Sequence, residues 1–342
     1  MIWLAWLGLP PLMEWAYTHA VFAADPQACQ EARGIGACWG VITAKHSLIL
    51  WGRYPFEQLW RAELSTVLLL ALIIRSSICT LSGAHKTIAY EWIAVLTLIF
   101  VLMSGYLGPL EFLRASVISP LFGEPFTVVN TDLWGGLPLT LILSFICIVL
   151  ASPIALVLAL ARVSHIPLFN VLSKTYIEVD RGVPLISVLF MASYMFPLLL
   201  PNGYSPDVLI RVTAGITLFA AAYLAEIVRA GIQAVPTSQT EAALSIGLSY
   251  WQTQRLIVLP QALKLVIPGV MNSFIAIFKD TSLITIVSLY ELTGALSLAM
   301  NGDAVWRAFK LEGYLFITAI YFIFCFAMSR YSLWIEQRLT RT

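Results

Sequence analysis

The stretch 135–161 (GGLPLTLILSFICIVLASPIALVLALA) contains no charged side chain. A bilayer's hydrocarbon core, about 30 Å thick, is crossed by roughly 20 mainly apolar residues in a helix. Inside that core every backbone N–H and C=O must find a partner within the protein, which a helix provides unaided. The rest of the chain has the same character: of 342 residues, 59% are apolar and 11% are charged. Soluble domains carry about 25% charged residues, so this surface is not built for water. The expected fold class is an all-α integral membrane protein, with membrane lipid as its solvent. A net charge of +1 supplies no basic field, so no nucleic acid is expected as a partner.

About eight transmembrane helices are expected, over 2–22, 63–81, 91–108, 135–161, 183–200, 208–229, 264–291 and 312–332. Polar connections at 23–62, 109–134, 162–182, 230–263 and 294–311 separate the others. The chain divides into an N-terminal three-helix extension, 1–108, a connection, 109–134, and a five-helix portion, 135–342. Met1 to Phe22 lacks the basic start of a secretory signal and is interrupted by Glu14. It therefore reads as an uncleaved spanning helix. Trp39, Trp51, Trp60 and Trp134 suit interfacial aromatic positions.

Lys and Arg set the orientation. Within 109–342 one side holds Arg162, Lys174, Arg181, Arg229, Arg255, Lys264, Arg330, Arg338 and Arg341, and the other Arg114, Arg211, Arg307 and Lys310. The richer side is cytoplasmic by the positive-inside rule. This puts 162–182, 230–263 and the C-terminus in the cytoplasm. Counting back through three more helices puts the N-terminus there too, with 23–62 and 109–134 outside. Cys79, Cys147 and Cys325 lie in apolar spans as small hydrophobes. Cys29 and Cys38 share the outer loop, where an oxidising compartment allows a disulfide; two free thiols are the equal alternative, because spacing does not give distance.

One connection is too long and too well punctuated for a simple linker: VPTSQTEAALSIGLSYWQTQRLIVLPQALK, 235–264. Ser238 and Glu241 have capping-box spacing, followed by the helix formers Ala242, Ala243 and Leu244. Gly247 offers the left-handed conformation that ends a helix. Ser249 and Gln252 open a second short helix, expected to run to about Val258; Pro260 stops it, and a new helix can start from there. Two short helices outside the membrane expose side chains that their own fold does not bury, so a partner should dock there. A DNA-binding helix–turn–helix is disfavoured, since Arg255 is the loop's only basic residue before Lys264.

Glu241, Ala242, Ala243, Gly247, Ile257, Leu259 and Pro260 resemble the EAA loop of binding-protein-dependent ABC importer permeases. Arg181-Gly182-Val183-Pro184-Leu185, the Tyr223/Glu226/Arg229/Gly231/Ile232 stretch and Lys279-Asp280-Thr281-Ser282-Leu283 resemble the polar, histidine-type amino-acid group of that family. The likeness covers roughly 130–335, and the extra N-terminal helices resemble the larger permease subunit of general L-amino-acid uptake systems. Ser238 departs from the family's usual Gly before the Gln. The resemblance implies a type I ABC importer permease core of five helices in a bacterial inner membrane, moving L-amino acids inward. It also implies a second homologous permease subunit, a periplasmic amino-acid-binding protein and a dimer of ATPase subunits. ATP and Mg²⁺ would be bound by those ATPase subunits, and 235–263 would be the coupling loop.

Ionisable residues inside spans point to function or to paired structural roles. Glu226 and Arg229 share a helix face at i, i+3 and read as a structural ion pair. Lys279 and Asp280 lie roughly 22 Å along a helix counted from Lys264. Neighbours on a helix do not face each other, so an interruption or separate partners are expected there. With Asn272, Thr281 and Ser282 they form a candidate substrate path for a zwitterion; an intersubunit polar contact is the equal alternative. No P-loop, no G-x-S-x-G and no H-E-x-x-H occurs, so neither catalysis nor a cofactor on this chain is expected. His19, His46, His85 and His165 are scattered, so no metal site is expected either. An ion-gradient-driven secondary amino-acid carrier is the competing reading; it would need no coupling loop.

Overall fold

The computed structural model describes residues 10–79, 85–106, 127–201 and 205–339. Their helices are α1 (Pro26–Glu31), α2 (Gly40–Trp51), α3 (Leu59–Cys79), α4 (His85–Ser104), α5 (Gly136–Arg162), α6 (Pro167–Gly182), α7 (Leu185–Phe190), α8 (Val208–Ala234), α9 (Thr237–Ser245), α10 (Tyr250–Thr253), α11 (Leu259–Asp280), α12 (Leu292–Asn301) and α13 (Lys310–Leu339). Among the described residues, four helical stretches are long and apolar enough to cross a membrane: Gly136–Arg162, Val208–Ala234, Tyr250–Val287 and Arg307–Arg338. The α6–α7 pair, bent by 102°, makes five if it counts as one span. Helices α3 and α4, of 21 and 20 residues, overlap the expected spans 63–81 and 91–108 but are not among these four; within α4, Ile88–Ser104 is a shorter apolar helix.

Three expectations need correction. The first concerns 2–22, of which residues 1–9 lie outside the described residues; the helical backbone runs only to Thr18. Beyond it the chain turns to pair with the cysteine loop, Val21 N–H donating to the Ala37 carbonyl at 2.8 Å and the Val21 carbonyl accepting from Gly40 N–H at 2.9 Å. Gly36 permits this approach, since a Cβ there would meet the His19 carbonyl oxygen at 1.8 Å. Second, the connections 23–62, 162–182 and 294–311 are substantially helical, holding α1 and α2, α6, and α12 respectively. In α12 the buried Leu292, Ala295, Leu296, Ala299 and Met300 fall on one face, a spacing typical of a packed helix. Third, Trp134 is buried, edge-on to Phe100 with ring centroids 6.1 Å apart, rather than at an interface.

The chain forms two compact units, Met1–Leu141 with Ser288–Ile320, and Ile142–Val287 with Tyr321–Thr342. In the first, Arg61 is fully buried on α3. Its Nε donates to the Leu102 carbonyl at 2.5 Å and its Nη1 to the Thr127 carbonyl at 3.0 Å. Tyr54 Oη donates to Met103 O at 3.0 Å, so the last carbonyls of α4, which have no partner within the helix, are paired. Burial pushes the Tyr54 hydroxyl up to about 12. Glu291, also fully buried, caps α12 by accepting from Thr293 N–H at 2.9 Å and Gly294 N–H at 2.8 Å. Cys29 and Cys38 are joined, with Cα atoms 5.3 Å apart. Cys38 N–H donates to Glu312 Oε1 at 3.0 Å, tying the stapled loop to the start of α13.

Candidate functional site

The second unit carries the loop, a cavity and an ionic cluster. Helix α8 ends at Ala234, and α9 begins after Pro236, whose ring fixes φ at −58°. That start places Ser238 inside the first turn, where its side chain caps nothing, so the expected Ser238–Glu241 capping box does not form. Glu241 and Ala242 are exposed, whereas Ala243 is buried. Helix α9 closes as expected at Gly247, with φ +86°. Leu248 N–H bonds to Ala243 O at 3.2 Å and Gly247 N–H to Leu244 O at 3.0 Å, the paired bonds of a Schellman turn. The second box does form: Ser249 N–H donates to Gln252 Oε1 at 2.8 Å, and Gln252 N–H to Ser249 Oγ at 3.4 Å.

Helix α11 begins at Leu259 with Pro260 in its first turn, as expected, but the chain is not broken there. Between α10 and α11 the backbone passes through a π turn, Gln254–Val258, and continues into the span without a break. The wider turn takes the place of the α-helical bond that a proline cannot donate. The Gln261 side chain donates to Ile257 O at 3.0 Å. Val235, Val258 and Ala262, with Ile232 against them, form the small apolar core beneath the loop. Ile257 and Leu259 are half-buried, and Pro260 is exposed. Ile246 and Trp251, 77% and 69% exposed, stand outward with Leu244, Tyr250 and Leu256. The unit thus pairs two short helices over a buried seam and turns its largest apolar side chains away from it.

A cavity of about 280 Å³ lies between α7, α8 and α11. It is lined by Leu185; by Ile216, Phe219, Ala220 and Tyr223; and by Ser273, Ala276, Ile277 and Asp280. Of the five residues on the expected substrate path, only Asp280 lines this cavity. Lys279 and Asn272 are exposed, and Thr281 is buried with its hydroxyl donating to Phe278 O at 2.7 Å. Ser282 is half-buried and is not part of the lining. The α-helix ends at Asp280 and tightens into a 3₁₀ turn over Thr281–Val287, so Lys279 and Asp280 stand where the backbone changes form. Sequence reasoning missed Phe219 and Ser273; apolar spacing alone does not tell a cavity wall from lipid contact.

Glu226 is the centre of a larger cluster than the expected pair. Arg229 reaches Glu226 Oε2 with Nη2 at 2.9 Å and Nε at 3.1 Å. Arg162 Nε lies 3.0 Å from Oε1, and Arg181 Nη1 3.7 Å from Oε2. Arg162 also meets Glu178 at 3.5 Å. Three helices, α5, α6 and α8, therefore bring guanidinium groups to one carboxylate. Among the four side chains, Glu226 and Arg162 are the least exposed, at 14% and 17%.

Residues 151–341 match the family model described as binding-protein-dependent transport system inner membrane component. The chain belongs to that family. It is 43% identical over 340 residues to the inner membrane amino-acid ABC transporter permease protein YhdY of Escherichia coli (strain K12), covering 98% of this chain and 87% of that protein. It is 36% identical over 389 residues to the glutamate/glutamine/aspartate/asparagine transport system permease protein BztC of Rhodobacter capsulatus, covering 99% and 88%. Among solved structures it is similar to a chain of an amino acid ABC transporter crystallised with histidines, with a TM-score of 0.53 and 31% identity, covering 59% of this chain and 92% of that one. The permease is thus a membrane component of an ABC importer, a multi-pass inner-membrane subunit that works with an ATPase and a binding protein and is not itself catalytic.

Proposed function

We propose that this chain is the larger of two homologous permease subunits that carry L-amino acids into the cytoplasm. A periplasmic binding protein delivers the cargo, and a pair of ATPase subunits hydrolyses ATP with Mg²⁺. Eight transmembrane helices, an outer loop at 23–62 and both termini in the cytoplasm are part of this reading; the joined Cys29–Cys38 pair suits an oxidising outer face. Alternating access drives the cycle, because the loaded binding protein has different affinities for the two states of the permease.

The observation that carries the reading is the paired-helix loop with Ile246 and Trp251 turned outward, a knob shaped for a groove in another subunit. Gly247→Val tests it. A Cβ at Gly247 meets nothing within 4 Å, so the substitution acts only through its left-handed backbone, at a cost of about 1–2 kcal/mol. Co-purification of the ATPase and coupled uptake are expected to fall about tenfold, the population shift that such a cost produces. An ion-gradient-driven carrier would retain full uptake.

The substrate path in this reading runs past Asp280, which lines the cavity and whose carboxylate would accept from the cargo's ammonium group; Lys279, Asn272, Thr281 and Ser282 stay candidates on the same stretch, outside the lining. Asp280→Asn is expected to lower uptake of assembled complexes at least tenfold, the scale of a lost charge-assisted contact. Normal uptake by a normally assembled variant would remove Asp280 from the substrate path.

A further inference from the structure

The ionic cluster sits between the cavity and the coupling loop. Tyr223 is the last α8 residue in the cavity lining, and Glu226 follows three residues later, about 4.5 Å nearer the loop. Farther toward the loop, α8 and α11 press together. A Cβ at Gly231 would meet Val266 Cγ1 at 2.6 Å and Ala262 O at 2.7 Å, and one at Gly269 would meet Ile227 Cγ2 at 3.1 Å. A solute in the cavity therefore has no room to move toward the loop between these two helices.

Arg181 differs from the other two arginines there. It is the most exposed of the three, 43% against 17% and 26%, and makes the longest contact with Glu226, 3.7 Å. Its guanidinium lies over the Tyr223 ring, 5.4 Å from the centroid. It also stands at the end of α6, just before the 102° bend into α7, whose first residue, Leu185, lines the cavity. One side chain thus touches the cavity wall, the ionic cluster and the bend.

We propose that Arg181 is the positioning residue of an inner gate: stacked on Tyr223 and tethered to Glu226, it holds the tyrosine against the loop-side end of the cavity, and its release lets the amino acid leave. The proposal rests on the reading that the loop faces the cytoplasm and that cargo passes Asp280. The arrangement makes the gate weak by design: one cation–π contact and one partly exposed ion pair are small enough for a conformational cycle to break. The inward ends of α6 and α7 can then move while Arg162 and Arg229 keep Glu226 neutralised.

The test uses the assembled importer in inside-out vesicles, with Cys79, Cys147 and Cys325 replaced by Ala and a reporter Ser273→Cys in the cavity. A membrane-impermeant maleimide is applied from the loop side. Arg181→Gln is expected to speed labelling of the reporter about tenfold, the shift expected from losing those two contacts together. Arg181→Lys, which keeps the charge, should fall between the two, and Tyr223→Leu should speed labelling as Arg181→Gln does. Arg229→Gln, which loosens the cluster without touching Tyr223, should leave the rate unchanged. Unchanged labelling in Arg181→Gln and Tyr223→Leu overturns the gate, as does equal acceleration in Arg229→Gln. Should Arg181→Gln fail to assemble, Tyr223→Leu decides. Lys174→Cys, exposed on α6 and expected on the same side as the loop, should label readily in the same vesicles; if it does not, the orientation of the loop fails rather than the gate.

Discussion

Glu226→Gln is expected to lower the stability of the assembled permease by about 2–3 kcal/mol, because it removes the carboxylate shared by three guanidinium groups and leaves Glu178, beside Arg162, to offset them. Removing one partner of a buried pair costs about 3–5 kcal/mol; the lower figure reflects the exposure of Arg181 and Arg229, which water and ions screen. Glu226→Asp retains the charge and should recover part of the loss. Arg229→Gln should cost less than Glu226→Gln, since Arg162 and Arg181 still neutralise the carboxylate. Thermal unfolding of the complex in detergent reads all three. Equal stability of Glu226→Gln and the parent would show that the cluster contributes nothing to folding.

Gly231→Val is expected to abolish uptake and to lower assembly sharply. The new Cβ would lie 2.7 Å from the Ala262 carbonyl oxygen, which belongs to the backbone of α11 and cannot rotate away. Overpacking of this kind costs about 1–3 kcal/mol, and more when backbone must move. The damage falls at the base of the loop, beside the Val235, Val258 and Ala262 core, so the two short helices lose the floor on which they pack. Gly231→Ala should show the same loss in smaller degree. Vesicle uptake, scored with the amount of assembled complex, measures it. A fully active Gly231→Val would mean that α8 and α11 do not approach so closely.

The long spans were legible because bilayer thickness and helical rise leave few alternatives: 135–161 became α5 within a residue at each end. The loop was legible through its turn chemistry, since Gly247 and the Ser249–Gln252 box each have one favourable local structure. Ser238 was misjudged because Pro236 settles the helix start before a hydroxyl can compete. At Pro260 the boundary was legible, since α11 starts at Leu259 with the proline in its first turn, but the continuity was not, because a π turn five residues long absorbs what would break an α-helix and no residue type announces a π turn. The helices in the supposed connections were hidden by their length: α2 and α12, of 12 and 10 residues, are too short to register as spans. The Arg162 and Arg181 contacts with Glu226 join residues distant in sequence, and helical spacing speaks only of near neighbours.

The unbroken path from Tyr250 to Val287 has a mechanical consequence. Trp251 stands at one end and Asp280 about 43 Å along the same rod. A tilt of about 5° at the outward-facing end would sweep the carboxylate sideways by roughly 4 Å, close to a helical turn in height. Were the loop to dock and the cargo to pass Asp280 as proposed, one helical path would reach both without a chain of intermediaries. The π turn and Pro268 are places along it where the α-helical hydrogen-bond ladder is interrupted, so a substitution at either is expected to change how far such a tilt carries, with the contacts at the two ends left in place.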